Sequence, residues 1–478
     1  MKTKYIIPAI VLRLLLLAPI ITSPLWYDEN FTLLMIRRPL PLMLRAAAGD
    51  VHPPLYYLLL WPLGQIQHAP AWIIRLPSLL FSILSLFVFW SVLDLLTIDT
   101  LQKRSAWVLF AISSVALYYT GEGRMYSWMV LLVLYCAWCL LERRWVLLGL
   151  ASALLLWSHN YGIFYVAIFW FAGIYLDTCY WKQITLSLGL AGISFLPWAY
   201  VLMSQIGTIH GGYWIFWQTW PSVLNTFYNS YFLYGQTLVD FFGQIIFFSW
   251  ITYSSIWIVV NYKGLGKLKV FTIILAFGPF LLALVASLTV QPLLLYRALV
   301  PCAPFLTIVL LMPWDTKGPI GHGIKLAFIF IIPFIMLLPT RLYYSDYHLR
   351  GVNDQEIITT LRIIEQGWLP GDKIIHDGDG SIVDMLPYAI NPSDHYKLDP
   401  CGPTRGSLSP LTRQGLGLQL ISPEQIHGHI WLVTEESPFT PACNTVWLNT
   451  VTRNIKPIYC IVDNYLQKSC LYELTIQN

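Results

Sequence analysis

Charge is what this chain has least of. Only 11% of its 478 residues are Asp, Glu, Lys or Arg. The net charge is +4, which excludes a nucleic-acid partner held through its phosphates. Cysteine is scarce as well: eight residues exclude a dense disulfide scaffold. One stretch, Met203 to Gln236, carries no charge of either sign. What remains is apolar. The chain is 56% hydrophobic, with a mean hydropathy of +0.60 and 21 Trp, 28 Tyr and 24 Phe. That composition lies outside soluble norms and reads as a polytopic α-helical membrane protein.

Apolar runs predict spans at 5–24, 72–97, 105–120, 125–141, 145–160, 161–178, 183–202, 237–261, 268–290, 294–313 and 323–341, about eleven in all. The opening run reads as a retained first helix, not a signal peptide. The piece 54–67 is short and opens on His52-Pro53-Pro54. Basic residues decide its place. Without a crossing there, one set of connections holds Lys2, Lys4, Lys103, Arg104, Arg143, Arg144, Lys182, Lys263, Lys267, Lys269, Lys317 and Lys325. The opposite set holds Arg37, Arg38, Arg45, Arg75, Arg124 and Arg297, and no lysine. The lysine side is therefore expected in the cytoplasm, and 54–67 is expected to be a juxtamembrane or re-entrant helix outside.

The stretch Trp26 to Tyr57 breaks the shortage of charge. It gathers Asp28, Glu29, Asp50 and His52 with Arg37, Arg38 and Arg45 where the first helix leaves the bilayer. A wet carboxylate pair there is available for chemistry; the alternative is a polar loop that happens to carry charge. Three other outer turns hold candidate groups. One is Tyr118–Tyr126, with Glu122, Arg124 and Tyr126. A second, Trp157–Gly162, carries His159 and Tyr161. The third is Gln291–Arg297. Arginine has a rigid fork that holds phosphate through two bonds, which lysine cannot copy. A Glu122–Arg124 pair can also merely close a hairpin, and His159 can be an interfacial anchor. The aromatic loop 203–236 suits the interfacial belt, and its rings also suit the flat apolar faces of sugars or a polyprenyl tail.

In order, the chain shows an Asp-Glu pair after its first helix, His52-Pro-Pro-Leu-Tyr-Tyr57, Arg75-Leu-Pro-Ser78, the Glu122-Gly-Arg124-Met-Tyr126 turn and a late outer arginine. This resembles the dolichyl-phosphate-mannose protein mannosyltransferase superfamily, in particular the bacterial branch with the aminoarabinose transferases of lipid A. The resemblance covers residues 1–340. It implies a GT-C fold, a sugar donor carried on a polyprenyl phosphate, and transfer to a glycan, lipid or protein acceptor on the outer face. It implies that Asp28 is the catalytic acid with Glu29 as its neighbour. It matches Glu122 and Arg124 to a Q-E-A-R-M-Y turn, from which Thr120, Gly121 and Gly123 depart. It matches Arg297 to an Arg-Tyr pair whose second member is Ala298 here. The chemistry agrees: a hydroxyl acceptor needs a base, and a leaving phosphate needs a cation. Asp50 and His52 can position the acceptor or contribute to a divalent metal site, but two ligands do not define one. Two other classes use the same residues, a lipid-linked sugar transporter or flippase and a non-catalytic scaffold. No inverted repeat speaks for a common secondary transporter.

The division expected is 1–341, a transmembrane catalytic domain with the outer loop 26–70, and 342–478, a small extracytoplasmic α/β domain. Asn353-Asp-Gln-Glu356 is expected to cap a helix to Gln366, with strands at 373–376, 429–434, 445–448, 457–462 and 470–476. Asp377-Gly-Asp-Gly380 reads as a turn. Disulfides Cys460–Cys470 and Cys401–Cys443 are expected outside, while Cys136, Cys139, Cys179 and Cys302 are expected to be reduced packing residues.

Overall fold

The computed structural model describes residues 3–21, 23, 25–67, 69–209, 215, 219–232, 238–315, 357–399, 408–436, 445–453, 455–462 and 468–476. The expected span 323–341, the cap at 353–356, the boundary at 341/342 and the pair Cys401–Cys443 lie outside these. In chain order the helices are α1 (Thr3–Ile21), α2 (Tyr27–Arg37), α3 (Leu40–Gly49), α4 (Leu55–Gly64), α5 (Leu76–Leu95), α6 (Thr100–Ile112), α7 (Ser114–Thr120) and α8 (Tyr126–Leu141). Then follow α9 (Trp145–Ser158), α10 (Gly162–Leu176), α11 (Trp181–Ile209), α12 (Trp220–Asn229), α13 (Leu238–Val260), α14 (Lys267–Thr289) and α15 (Ala303–Leu311). The C-terminal part holds helix α16 (357–367), β1 (Lys373–His376), α17 (Asp379–Met385), β2 (His395–Leu398), α18 (Pro410–Leu416), β3 (Gln419–Ile421), β4 (Gly428–Glu436), α19 (Thr445–Thr452), β5 (Tyr459–Val462) and β6 (Lys468–Ile476). Among the described residues, five helices are long and apolar enough to cross a membrane.

The chain forms two compact units. The first comprises residues 1–22, 75–199 and 215–346. It is a helical bundle whose helices pack through small residues, as helices in lipid must when no hydrophobic effect drives them together. Ser78, Ser82 and Ser85 line the buried face of α5, which packs on α8. On α14, a Cβ at Gly278 would lie 2.6 Å from Ile168 of α10. The run expected as one span at 105–120 is two helices. Ser113 is extended between them, and its Oγ accepts from Ala116 N at 3.3 Å, capping α7.

The second unit comprises residues 23–74, 200–214 and 347–478. The outer loop thus groups with the C-terminal domain. Its sheet has the order β3-β2-β1-β4-β6-β5. The first four strands are parallel, and β6 and β5 extend the sheet antiparallel. Alternating side chains fill both faces. Ile375, Leu398, Ile430 and Leu432 pack with Leu448 of α19, while Ile374, Val433 and Leu471 pack with Leu361 and Ile364 of α16. Thr445–Leu448, expected as a strand, is helical because Trp447, Leu448 and Val451 meet the sheet core at helical spacing. The aromatic loop 203–236 is divided between the units, and its part in the first unit holds a helix, α12, capped by Thr219. Cys460 and Cys470 are disulfide-bonded opposite each other on β5 and β6. Cys136, Cys139 and Cys302 are buried free thiols as expected, and Cys179 is a free thiol too, but exposed in the connection before α11.

Candidate functional site

Asp28, Glu29, Asp50 and His52 belong to the second unit. α2 begins where Trp26 leaves the extended conformation, and its first turn carries Asp28 and Glu29, favourable beside the helix N-terminal dipole. Glu29 is fully buried and its Oε2 accepts from Trp26 N at 3.4 Å, so it holds its own turn. Asp28 is half-buried. Asn30, also fully buried, donates from Nδ2 to Leu25 O at 2.9 Å and to Asp384 Oδ1 at 3.0 Å on α17. Tyr388 accepts from Leu25 N through its hydroxyl at 2.7 Å. The peptide ahead of Asp28 is therefore tied on both sides.

Asp50 ends α3. His52 Nδ1 lies 3.1 Å from its Oδ2, and the Tyr57 hydroxyl donates to the same oxygen at 3.4 Å. The pair expected from spacing is thus joined by a third residue at the head of α4. Arg45 is exposed and Arg38 is half-buried. Arg37 reaches Pro387 O at 3.3 Å. Among the described residues, no group of three or more His, Cys, Asp and Glu side chains is placed to hold a metal ion.

The C-terminal sheet has a topological switch between β1 and β4, where doubly wound sheets place their crevice. Asp377-Gly378-Asp379-Gly380, expected as a turn, leads from β1 into α17. Glu435 of β4 sits on it. Its Oε2 accepts from Ser381 N at 3.2 Å, and its own N–H donates to Asp377 Oδ1 at 2.7 Å. A Cβ at Gly378 would collide with that carboxylate, so a larger residue there would push the Glu435 side chain off the loop. Arg413 of α18 grips both oxygens of Asp379, at 3.1 and 2.7 Å. Burial raises the Glu435 carboxyl pKa, and Asp379 adds to the rise while Ser381 opposes it. His376 and His395 share a 2.9 Å contact in the core, and burial lowers both, His395 to about 4.

Glu122, Arg124, Tyr126, His159, Tyr161 and Arg297 belong to the first unit. The turn at 121–125 is tight, with Arg124 N donating to Glu122 O at 2.8 Å and Ser78 Oγ donating to Arg124 O at 3.2 Å. Glu122, Arg124 and Tyr126 are all buried. The Arg297 guanidinium lies over the Tyr126 ring, 5.9 Å from its centroid. Tyr126 also meets Tyr119 at 4.8 Å and His159 at 6.3 Å between centroids. His159 Nδ1 accepts from Tyr161 N at 3.0 Å. The Tyr161 hydroxyl accepts from Leu295 N at 2.9 Å and donates to Leu293 O, which ties the segment leading to Arg297. Three turns distant in sequence are thus one cluster.

Sequence reasoning missed Arg13. It is fully buried inside α1 and donates to Ser82, to Thr120 Oγ1 at 2.8 Å and to Ala111 O at 3.4 Å. A lone charge in a first apolar run was the available signal. It also missed Asn30, Asp384 and Glu435, for which no local pattern exists. Arg75, from the Arg-Leu-Pro-Ser motif, is fully buried and donates to Ile21 O at 3.4 Å.

An apolar helical bundle with buried arginines and a separate unit with a doubly wound sheet make this a polytopic α-helical membrane protein with a GT-C-like fold. No family model and no curated protein matches the chain. Among solved structures it is similar to ArnT from Cupriavidus metallidurans in the apo state, with a TM-score of 0.60 and 11% identity over 98% of both chains. It is also similar to the same protein bound to undecaprenyl phosphate, with a TM-score of 0.52 and 12% identity over 98% of both chains. The chain therefore has the ArnT fold from end to end.

Proposed function

We propose that this protein is an integral-membrane glycosyltransferase that moves a sugar from a polyprenyl-phosphate carrier to a hydroxyl acceptor on the outer face of the membrane. The observation that carries the reading is the likeness over 98% of both chains to an ArnT structure bound to undecaprenyl phosphate. In this reading Asp28 takes the acceptor proton as the new C–O bond forms at the anomeric carbon. The bond to the carrier phosphate breaks in the same step, and the sugar inverts. Glu29 and Asn30 hold the turn that presents Asp28. Arg297, backed by Tyr126, and Arg124 stabilise the phosphate that leaves. In the second unit Asp50 and His52 are the candidates for holding the acceptor, and in the first Glu122, His159 and Tyr161 are the candidates for lining a cleft.

The test is turnover by the purified protein with a radiolabelled undecaprenyl-phosphate-linked pentose or hexose as the probe. A transferase releases undecaprenyl phosphate, whereas a transporter moves the intact lipid. Asp28→Asn keeps the size and removes the proton acceptor. Turnover should fall by about 10² to 10⁴ with donor affinity kept. A folded Asp28→Asn protein that works at the parent rate removes Asp28 from the mechanism.

A further inference from the structure

Arg13 is a fully buried charge within α1, and the bundle builds a polar node around it. A cation among apolar helices is costly unless acceptors are fixed beside it. Arg13 finds them on three helices. Its Nη1 donates to Ser82 Oγ of α5 and, at 2.8 Å, to Thr120 Oγ1, the last residue of α7. Its Nη2 donates to Ala111 O at 3.4 Å. Ala111 stands in the last turn of α6, where a helix supplies its carbonyls with no donor of its own. The Thr120 hydroxyl gives its proton to Ala116 O at 2.6 Å, so in its 2.6 Å bond with Ser82 it accepts. Thr120 Oγ1 therefore donates once and accepts twice, from Arg13 and from Ser82, which is all a hydroxyl can do. Ser82 and Thr120 are buried with Arg13.

The node governs the turn that follows. Thr120 leads directly into Gly121-Glu122-Gly123-Arg124. Ser78, one helical turn before Ser82 on the buried face of α5, donates to Arg124 O at 3.2 Å. Two serines four residues apart on one helix thus grip both ends of the segment 120–124. Ser127 Oγ, beyond the turn, donates back to Tyr119 O at 2.6 Å. With glycine at 121 and 123 the turn has little stiffness of its own, so these side chains set its course. Thr120 is the one among them that Arg13 fixes.

We propose that Arg13 is a positioning residue for Arg124: it pins the end of α7 to α5 through Thr120 and Ser82, and so sets the turn that carries Arg124. The inference rests on the reading of Arg124 as a holder of the donor phosphate, but its first readout does not. That readout is hydrogen exchange on the full-length protein in lipid nanodiscs. Arg13→Met keeps the length and removes the charge. Protection of peptides covering 113–127 should fall about tenfold, while that of 267–289 and the Tm hold, because an apolar side chain in place of a buried charge costs the bundle little. Thr120→Val keeps the shape without the hydroxyl and should loosen the same peptides with the guanidinium still present. Ser85→Ala, on the same face of α5 but with a hydroxyl turned back to Phe81 O at 2.8 Å, should leave them unchanged.

The second readout is the affinity for undecaprenyl phosphate, which needs no turnover. Arg13→Met and Thr120→Val should each weaken it about fivefold. In an Arg124→Gln background Arg13→Met should weaken it no further, the mark of a residue that acts through Arg124. An Arg13→Met protein that loosens throughout the bundle, or one that loses affinity equally with and without Arg124, overturns the proposal and leaves Arg13 a packing role. If exchange behaves as expected and the parent binds no undecaprenyl phosphate, the hold of Arg13 on the turn stands and the donor reading of Arg124 is what has failed.

Discussion

At the scale of single residues, the candidate site depends on side chains that do two jobs. Arg297 is half-buried over the face of Tyr126, a contact that orients its guanidinium as well as stabilising it. Lysine at that position keeps the charge but loses both the planar stack and the two-bond grip on phosphate. Arg297→Lys should therefore raise the donor KM about tenfold, an affinity loss of about 1.4 kcal/mol, with a smaller effect on kcat. Steady-state kinetics against donor concentration checks it, and a change in thermal stability alone would assign Arg297 a packing role. The residue types were legible in the sequence because arginines without lysines on one side of a membrane form a chemical pattern. The cluster that joins Tyr126, His159, Tyr161 and Arg297 was not. Its bonds are between residues as far apart as 132 and 134 positions, such as those of the Tyr161 hydroxyl to Leu293 and Leu295, and no spacing rule reports them.

At the scale of elements, the outer loop owes its place to close contact with the C-terminal domain. α18 packs on α3, and Thr412 Oγ1 donates to Ala46 O at 3.3 Å. Gly415 makes this approach feasible: a Cβ there would stand 2.4 Å from Ala46 N, a backbone atom with nowhere to go. Gly415→Val should cost about 1–3 kcal/mol through overpacking and expose the α3–α4 connection to protease. Gly264, whose Cβ would meet nothing within 4 Å, gives the control: Gly264→Ala should leave both readouts unchanged. Long apolar helices were legible because period and length suffice for them. The break at Ser113 and the helix at 445–452 were not. The first turns on one hydroxyl cap. The second turns on a sheet face, made by Ile430, Leu432 and their neighbours, to which Trp447 and Leu448 are attracted whatever their strand propensity.

At the scale of the whole chain, the bundle sorts its connections into two ends, and the sorting agrees with the charges. At one end Arg143 reaches Asp177 at 2.8 Å, and Lys267 Nζ donates to Leu176 O at 3.3 Å, so the connections before α9, before α11 and before α14 meet. At the other end Tyr126, His159, Tyr161 and Arg297 meet, and no lysine is among them. The first end carries the lysines expected in the cytoplasm. The Cys460–Cys470 bond suits an oxidising compartment, so the C-terminal domain is predicted to lie outside, across the membrane from those lysines. Single cysteines test both statements in a background where the exposed Cys179 is replaced by serine. Ser393→Cys, on the exposed 3-10 turn before β2, should react with a membrane-impermeant maleimide in intact cells. Lys263→Cys, exposed between α13 and α14, should react only after permeabilisation. The opposite pattern would reach further than topology. Asp28 lies in the same compact unit as Ser393, so a C-terminal domain in the cytoplasm takes the proposed base with it, and transfer on the outer face could no longer be its reaction.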